Sequence, residues 1–158
     1  MRIVPSDFTN PLVIDLLRTH VTTARAATAA GSAHALDLTG LQQPDIQCWT
    51  LWDGDALLGV GALKRLDRRH GEVKSMHTAK LARGRGVGGA MLRHIIASAR
   101  ADGLTRLSLE TGSWPYFHPA HRFYKSHGFV ESGPFGGYVL DPNSIFMTLD
   151  LTATGEPW

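Results

Sequence analysis

One cysteine, Cys48, stands among the 158 residues, so no internal disulfide can brace the chain. That usage fits a reducing compartment, and the reading is of a cytoplasmic protein. Cys48 lies in the apolar run Cys48-Trp49-Thr50-Leu51-Trp52, which marks it as core rather than as a nucleophile. Charge of either sign is scarce: charged residues are 19% and the formal net charge is +2, too small a surplus to point to nucleic acid. No apolar stretch is long enough to span a bilayer and no export-signal pattern opens the chain, so no membrane partner is expected. Internal repeats and low-complexity runs are also missing. A hydrophobic content of 43% supports a proper core, and the length predicts a single domain over residues 1–151, followed by a loose tail over 152–158.

What the chain does have is glycine, concentrated in Arg83-Gly84-Arg85-Gly86-Val87-Gly88-Gly89. Glycines leave backbone N–H groups uncovered and let a ligand approach closely. The helical segment that follows adds unpaired N–H groups and the positive end of its dipole. With Arg83 and Arg85 beside them, these donors make a site for a phosphate or pyrophosphate.

The remaining elements are legible at coarse grain. Arg2–Val4 reads as a strand stopped by Pro5. Asn10-Pro11 starts a helix whose apolar residues Val13, Leu16, Leu17, Val21 and Ala24 carry it to about Ala30, with Gly31 ending it. His34 to Gln43 is a second short helix or an ordered loop. Ile46–Trp52 and Ala56–Leu66 flank Asp53-Gly54-Asp55 as a hairpin, and Glu72–Thr78 continues as a third antiparallel strand. Val87–Asp102 is a helix closed by Gly103, and Arg106–Glu110 alternates as a strand. Phe117–His127 is a short helix, and Phe129–Phe135 and Ile145–Leu151 are final strands. The order β-α-α-β-β-β-α-β-α-β-β is that of an α/β protein of α+β type, a mixed sheet of about seven strands with helices packed on it.

Three ligands compete for the glycine stretch. A P-loop needs Gly-Lys-Ser/Thr, and Gly88-Gly89-Ala90 is not that. Gly84-x-Gly86-x-x-Gly89 with Glu110 downstream matches a dinucleotide fingerprint. However, Ala79–Arg83 separates it from its strand, and that strand belongs to an antiparallel meander. Arg83-x-x-Gly86-x-Gly88 resembles the Arg/Gln-x-x-Gly-x-Gly/Ala signature of the GNAT acyltransferases. Ala120-x-x-x-Tyr124-x-x-x-Gly128-Phe129 resembles that family's second motif, and the element order is similar over nearly the whole chain.

The resemblance implies a GNAT fold splayed between its fourth and fifth strands, and an N-acetyltransferase using acetyl-CoA as co-substrate, without a metal. It implies pyrophosphate on Arg83, Gly84, Arg85, Gly86, Val87, Gly88 and Gly89, and a pantetheine arm along Met76, His77 and Thr78. The Met76 N–H would face the thioester carbonyl and stabilise the oxyanion. Tyr124 would protonate the leaving thiolate. Glu72 holds the position of a base in the protein-lysine branch, with a salt bridge to Lys74 or Arg65 as its competing role; Glu110 is the second candidate. His34, Asp37, Trp114, Phe135 and Tyr138 would wall the acceptor pocket. One departure stands out: Phe117 occupies a position where many relatives carry an asparagine that contacts the cofactor arm. The acceptor implied is a small-molecule amine or amino acid. A protein or peptide amine, and a module that binds acyl-CoA without turnover, are the competing functions. Dimers are common in the family, and nothing in this sequence selects between monomer and homodimer. His118-x-x-His121 has no third ligand at metal-site spacing, so no metal is expected.

Overall fold

The computed structural model describes residues 1–28 and 34–152. Seven strands form one mixed sheet in the order β1-β2-β3-β4-β5-β7-β6. They are β1 (Arg2–Pro5), β2 (Ile46–Asp53), β3 (Ala56–Arg65), β4 (His70–Thr78), β5 (Arg106–Gly112), β6 (Val130–Ser132) and β7 (Ser144–Asp150). The helices are α1 (Pro11–Ala26), α2 (Leu38–Leu41), α3 (Val87–Ala101) and α4 (His118–Ser126). Both faces of the sheet are covered. Met91, Leu92, Ile95 and Ile96 of α3 pack on one side with Leu51, Leu63, Val73, Leu107 and Leu109. Val13 and Leu17 of α1 pack on the other with Cys48, Trp52, Val60 and Ala62. Double coverage explains why β2 reads as an unbroken apolar run rather than an alternation. Cys48 is buried there, receives a hydrogen bond from the Ser6 hydroxyl at 3.1 Å, and has its thiol pKa pushed up by burial.

Helix α1 begins where its cap dictates: the Asn10 side chain accepts the Leu12 N–H at 2.9 Å, and Pro11 follows. It ends at Ala26 with a cap at Ala27, short of the expected Ala30, because past Ala24 no bulky apolar side chain remains to bury. The expected stop at Gly31 and the tail beyond Thr152 lie outside the described residues. The ambiguous segment 34–43 resolves into one turn, α2, and Asp37 is its cap, accepting the Gly40 N–H at 2.8 Å. Strand β6 is three residues long where Phe129–Phe135 was expected; Gly133 and Pro134 end its pairing with β7.

Two irregularities open the sheet. β4 and β5 are parallel and pair only through His70–Arg106, Gly71–Leu107 and Glu72–Ser108. Beyond Glu72, β4 stays with β3 while β5 stays with β7, so a cleft opens between them. β4 also carries a bulge: the register passes from Ala62–Lys74 to Val60–His77, leaving Ser75 and Met76 opposite Gly61. Ser75 takes φ +56°, and a Cβ on Gly61 would lie 2.6 Å from Met91 and 3.0 Å from the Met76 sulfur. Glycine is therefore required opposite the bulge.

Candidate active site

The glycine stretch joins a 3-10 turn, Lys80–Ala82, to α3. Gly84 and Gly86 both have φ +79°, with open space where a Cβ would stand, so backbone conformation rather than crowding demands glycine there. Gly86 caps α3 without a side chain, and the first intrahelical bond runs from the Ala90 N–H to the Gly86 carbonyl at 3.0 Å. The N–H groups of Val87, Gly88 and Gly89 precede that bond and need an outside acceptor.

A cavity of about 790 Å³ extends from this loop, lined by Arg83, Gly84, Gly86 and Gly88, along Met76 to Thr78 of β4, to Phe123 and Tyr124 of α4. Val87 and Gly89 line it too, and so does His77. Arg85 turns away to an exposed ion pair with Asp53 at 3.2 Å, so Arg83 is the loop arginine that faces the cavity.

A second cavity, about 150 Å³, occupies the cleft between the splayed strands and is lined by His20, His34, Glu72, Lys74, Glu110 and Tyr124. Met76, Phe117 and Tyr124 line both spaces and form their junction. Phe117 fits because Gly112 presses against its ring and leaves no room for a Cβ. The aromatic thus fills space at the junction, where the resemblance placed a polar contact.

Glu72 is buried at the apex of the splay. Its Oε2 accepts from Lys74 Nζ at 3.0 Å and from the Tyr138 hydroxyl at 2.5 Å, while Lys74 also donates to the Tyr138 oxygen at 2.9 Å. The salt bridge weighed for Glu72 is thus present but buried, with the two side chains 3% and 8% exposed. Burial, and then the Glu72 charge, push the Tyr138 phenol well above its ordinary range. Removing one partner leaves an uncompensated buried charge. We expect Lys74→Met to lower unfolding free energy by about 3–5 kcal/mol, and Glu72→Gln combined with Lys74→Met to recover much of it, measured by urea denaturation.

Glu110, half-buried on β5, has no such lock. Burial raises its pKa, and Glu72 adds to the rise, while the Ser144 hydroxyl and the charges of His34 and Lys74 oppose it. Tyr124 is buried with its phenol pKa raised by desolvation, so it stays protonated. Its ring meets Phe123 and Phe129 edge-on.

The expected acceptor wall is assembled in part. His34 lines the small cavity and meets the Tyr138 ring edge-on at 5.0 Å. Tyr138 reaches the cavity through Glu72 and Lys74, and Phe135 packs behind it at 5.0 Å. Trp114 lies outside both linings, at the start of the turn before α4. Asp37 is an exposed cap and no part of the wall. His118 and His121 have ring centroids 5.7 Å apart, but His121 Nε2 is held by the Thr111 hydroxyl at 2.7 Å and the Gly112 carbonyl at 2.9 Å. Among the described residues no group of three or more His, Cys, Asp or Glu could hold a metal, and no helix is long and apolar enough to cross a membrane.

Sequence reasoning missed His20. It follows Leu17 by three residues on the buried side of α1, a polar residue at an apolar position, and that was the available signal. In the structure it lines both cavities, and its Nδ1 lies 3.2 Å from Nδ1 of His77.

The family model for the acetyltransferase (GNAT) family matches residues 17–129. The chain belongs to the GNAT acetyltransferase family. It is 46% identical over 151 residues to the uncharacterized N-acetyltransferase YsnE of Bacillus subtilis, covering 96% of this chain and 100% of that one. It is 43% identical over 150 residues to the uncharacterized N-acetyltransferase YedL of Escherichia coli, covering 95% and 94%. Its fold matches a GNAT family acetyltransferase from Elizabethkingia anophelis solved with acetyl-CoA bound, with a TM-score of 0.69, 17% identity and coverage of 94% and 97%. The chain is therefore a GNAT-type acyltransferase, and its seven-stranded sheet, splayed between β4 and β5, is the GNAT architecture. The dinucleotide reading of the glycines is set aside by the same facts: β4 is antiparallel to β3, and a 3-10 turn separates it from Gly84.

Proposed function

We propose that this GNAT enzyme transfers the acetyl group of acetyl-CoA to a small primary amine by direct attack. The observation that carries the reading is the junction of the two cavities at Met76 and Tyr124, where a long phosphate-ready groove meets a small, partly enclosed space holding a half-buried carboxyl. In this reading Arg83, Gly84, Gly86, Val87, Gly88 and Gly89 hold the pyrophosphate, and Met76 and Thr78 pair with the pantetheine arm. The Met76 N–H supports the oxyanion, and Tyr124 protonates the departing thiolate. Alkyl ammonium ions have pKa values of about 10.4 and must lose a proton before attacking. Glu110 takes it, because the Glu72 carboxylate is already held by Lys74 and Tyr138. A space of about 150 Å³ favours a small amine over a peptide segment.

The test is CoA release, followed with a thiol reagent, across a panel of small primary amines, amino acids and short peptides. Release with small amines supports the reading; tight acetyl-CoA binding without release from any member indicates a binding module instead. Replacing the base, Glu110→Gln, should lower kcat by about 100-fold. The same variant carries a stability signature. The folded Glu110 pKa is raised above 4.5, so its contribution to stability is complete below the unfolded value and lost as pH rises through the folded one. Glu110→Gln should therefore raise Tm at neutral pH and leave it unchanged near about pH 4, by calorimetry across that range.

A further inference from the structure

We propose that His20 and His77 form a two-imidazole relay that carries a proton from the acetyl-transfer centre to solvent. This rests on the amine-acetylation reading above. The two rings come from elements 57 residues apart, α1 and β4, and meet Nδ1 to Nδ1 at 3.2 Å with planes 74° apart. Two like nitrogens at that distance are favourable only when one carries a hydrogen and the other accepts it. Each ring then keeps its Nε2 for a different task. His20 lines both cavities, at the wall they share, while His77 lines only the larger one.

The charged groups around the pair oppose a stored cation. Lys74 and His77 of β4 bear on His20, and Arg83 of the glycine loop bears on His77. Glu110 and Tyr124 share the smaller cavity with His20. Burial, His77 and Lys74 bring His20 down to about 4, and burial and Arg83 lower His77. A ring that cannot keep a second proton at neutral pH can still pass one, provided it releases the hydrogen it already carries as it takes the next.

The protons balance as follows. The ammonium acceptor loses one proton to Glu110 and attacks as the free amine. Its nitrogen, now bonded to the acetyl carbon, carries one proton too many. That proton goes to His20 Nε2 while the hydrogen on His20 Nδ1 moves to His77 Nδ1, and the hydrogen on His77 Nε2 leaves to water. The C–S bond breaks, Tyr124 protonates the sulfur, and the proton on Glu110 restores the phenol. The rings regain their starting tautomers by exchange with water between turnovers.

Two measurements on the full chain test the relay. With the best acceptor from the amine panel, His20→Asn and His77→Asn should each lower kcat at least about tenfold. Tm should stay near wild type, free imidazole should restore part of the rate, and the double variant should be no slower than the slower single one. Unchanged kcat in either variant, or losses that multiply in the double, would overturn it. Independently of turnover, nitrogen NMR of histidine-labelled protein at neutral pH should find two neutral rings in complementary tautomers; both rings in the Nε2–H form would also overturn it. Release of CoA by wild type with unaffected variants sinks the relay alone, whereas absence of release in wild type sinks the acetyl-transfer reading.

Discussion

Tyr124→Phe should cut turnover by about 100-fold or more while CoA affinity, measured by titration calorimetry, stays within about twofold of wild type. The substitution removes one oxygen and keeps the ring that packs edge-on against Phe123 and Phe129. Burial holds the phenol protonated across the working pH range, so the lost group is an acid, not a base. A thiolate without a donor must depart as the anion, and the barrier to C–S cleavage rises. Turnover equal to wild type would remove Tyr124 from the chemistry and leave it as a core aromatic at the junction. Because Phe preserves the packing, a fall in kcat with Tm unchanged cannot be ascribed to a loosened fold.

Gly88→Leu should reduce CoA affinity by about 100-fold or more with the fold intact. Gly88 lies in the first turn of α3 and lines the large cavity; a Cβ there would stand 3.4 Å from Phe123, an ordinary contact. The helix therefore accepts a side chain at this position, but a leucine projects into the groove over the free N–H groups. Gly86→Ala acts differently. The open space around Gly86 admits a methyl group, yet φ +79° costs a non-glycine residue about 1–2 kcal/mol, so a weakening nearer tenfold is expected. Unchanged affinity in Gly88→Leu would count against placing the pyrophosphate on this loop.

Much of this protein is local chemistry, and local chemistry is readable in one dimension. Asn10-Pro11 starts α1 because a side-chain acceptor and a missing N–H suit a helix N-terminus wherever they occur. The αL glycines at 84 and 86, the helix after them and the hairpin around Asp53-Gly54-Asp55 follow from neighbours in sequence alone. Two expectations differed from the structure at places where the local signal was the better guide: Asp37, expected at the pocket wall, caps α2 through the Gly40 N–H three residues on, and α1 stops once no bulky apolar side chain remains past Ala24.

The sequence put Glu72 ahead of Glu110 through its place relative to the glycine signature, and nothing local shows what each would meet. Only folding brings Tyr138, 66 residues away, onto Glu72 and leaves Glu110 half-buried beside an open space. The same holds for His20 and His77, and for the bulge at Ser75-Met76 that turns β4 out of register with β3. The sequence by itself determined the glycine loop ahead of α3, the order of elements and the family. Tertiary structure alone decided that Glu72 is locked in a buried ion pair while Glu110 is not, because desolvation and partner distance exist only once remote segments have packed.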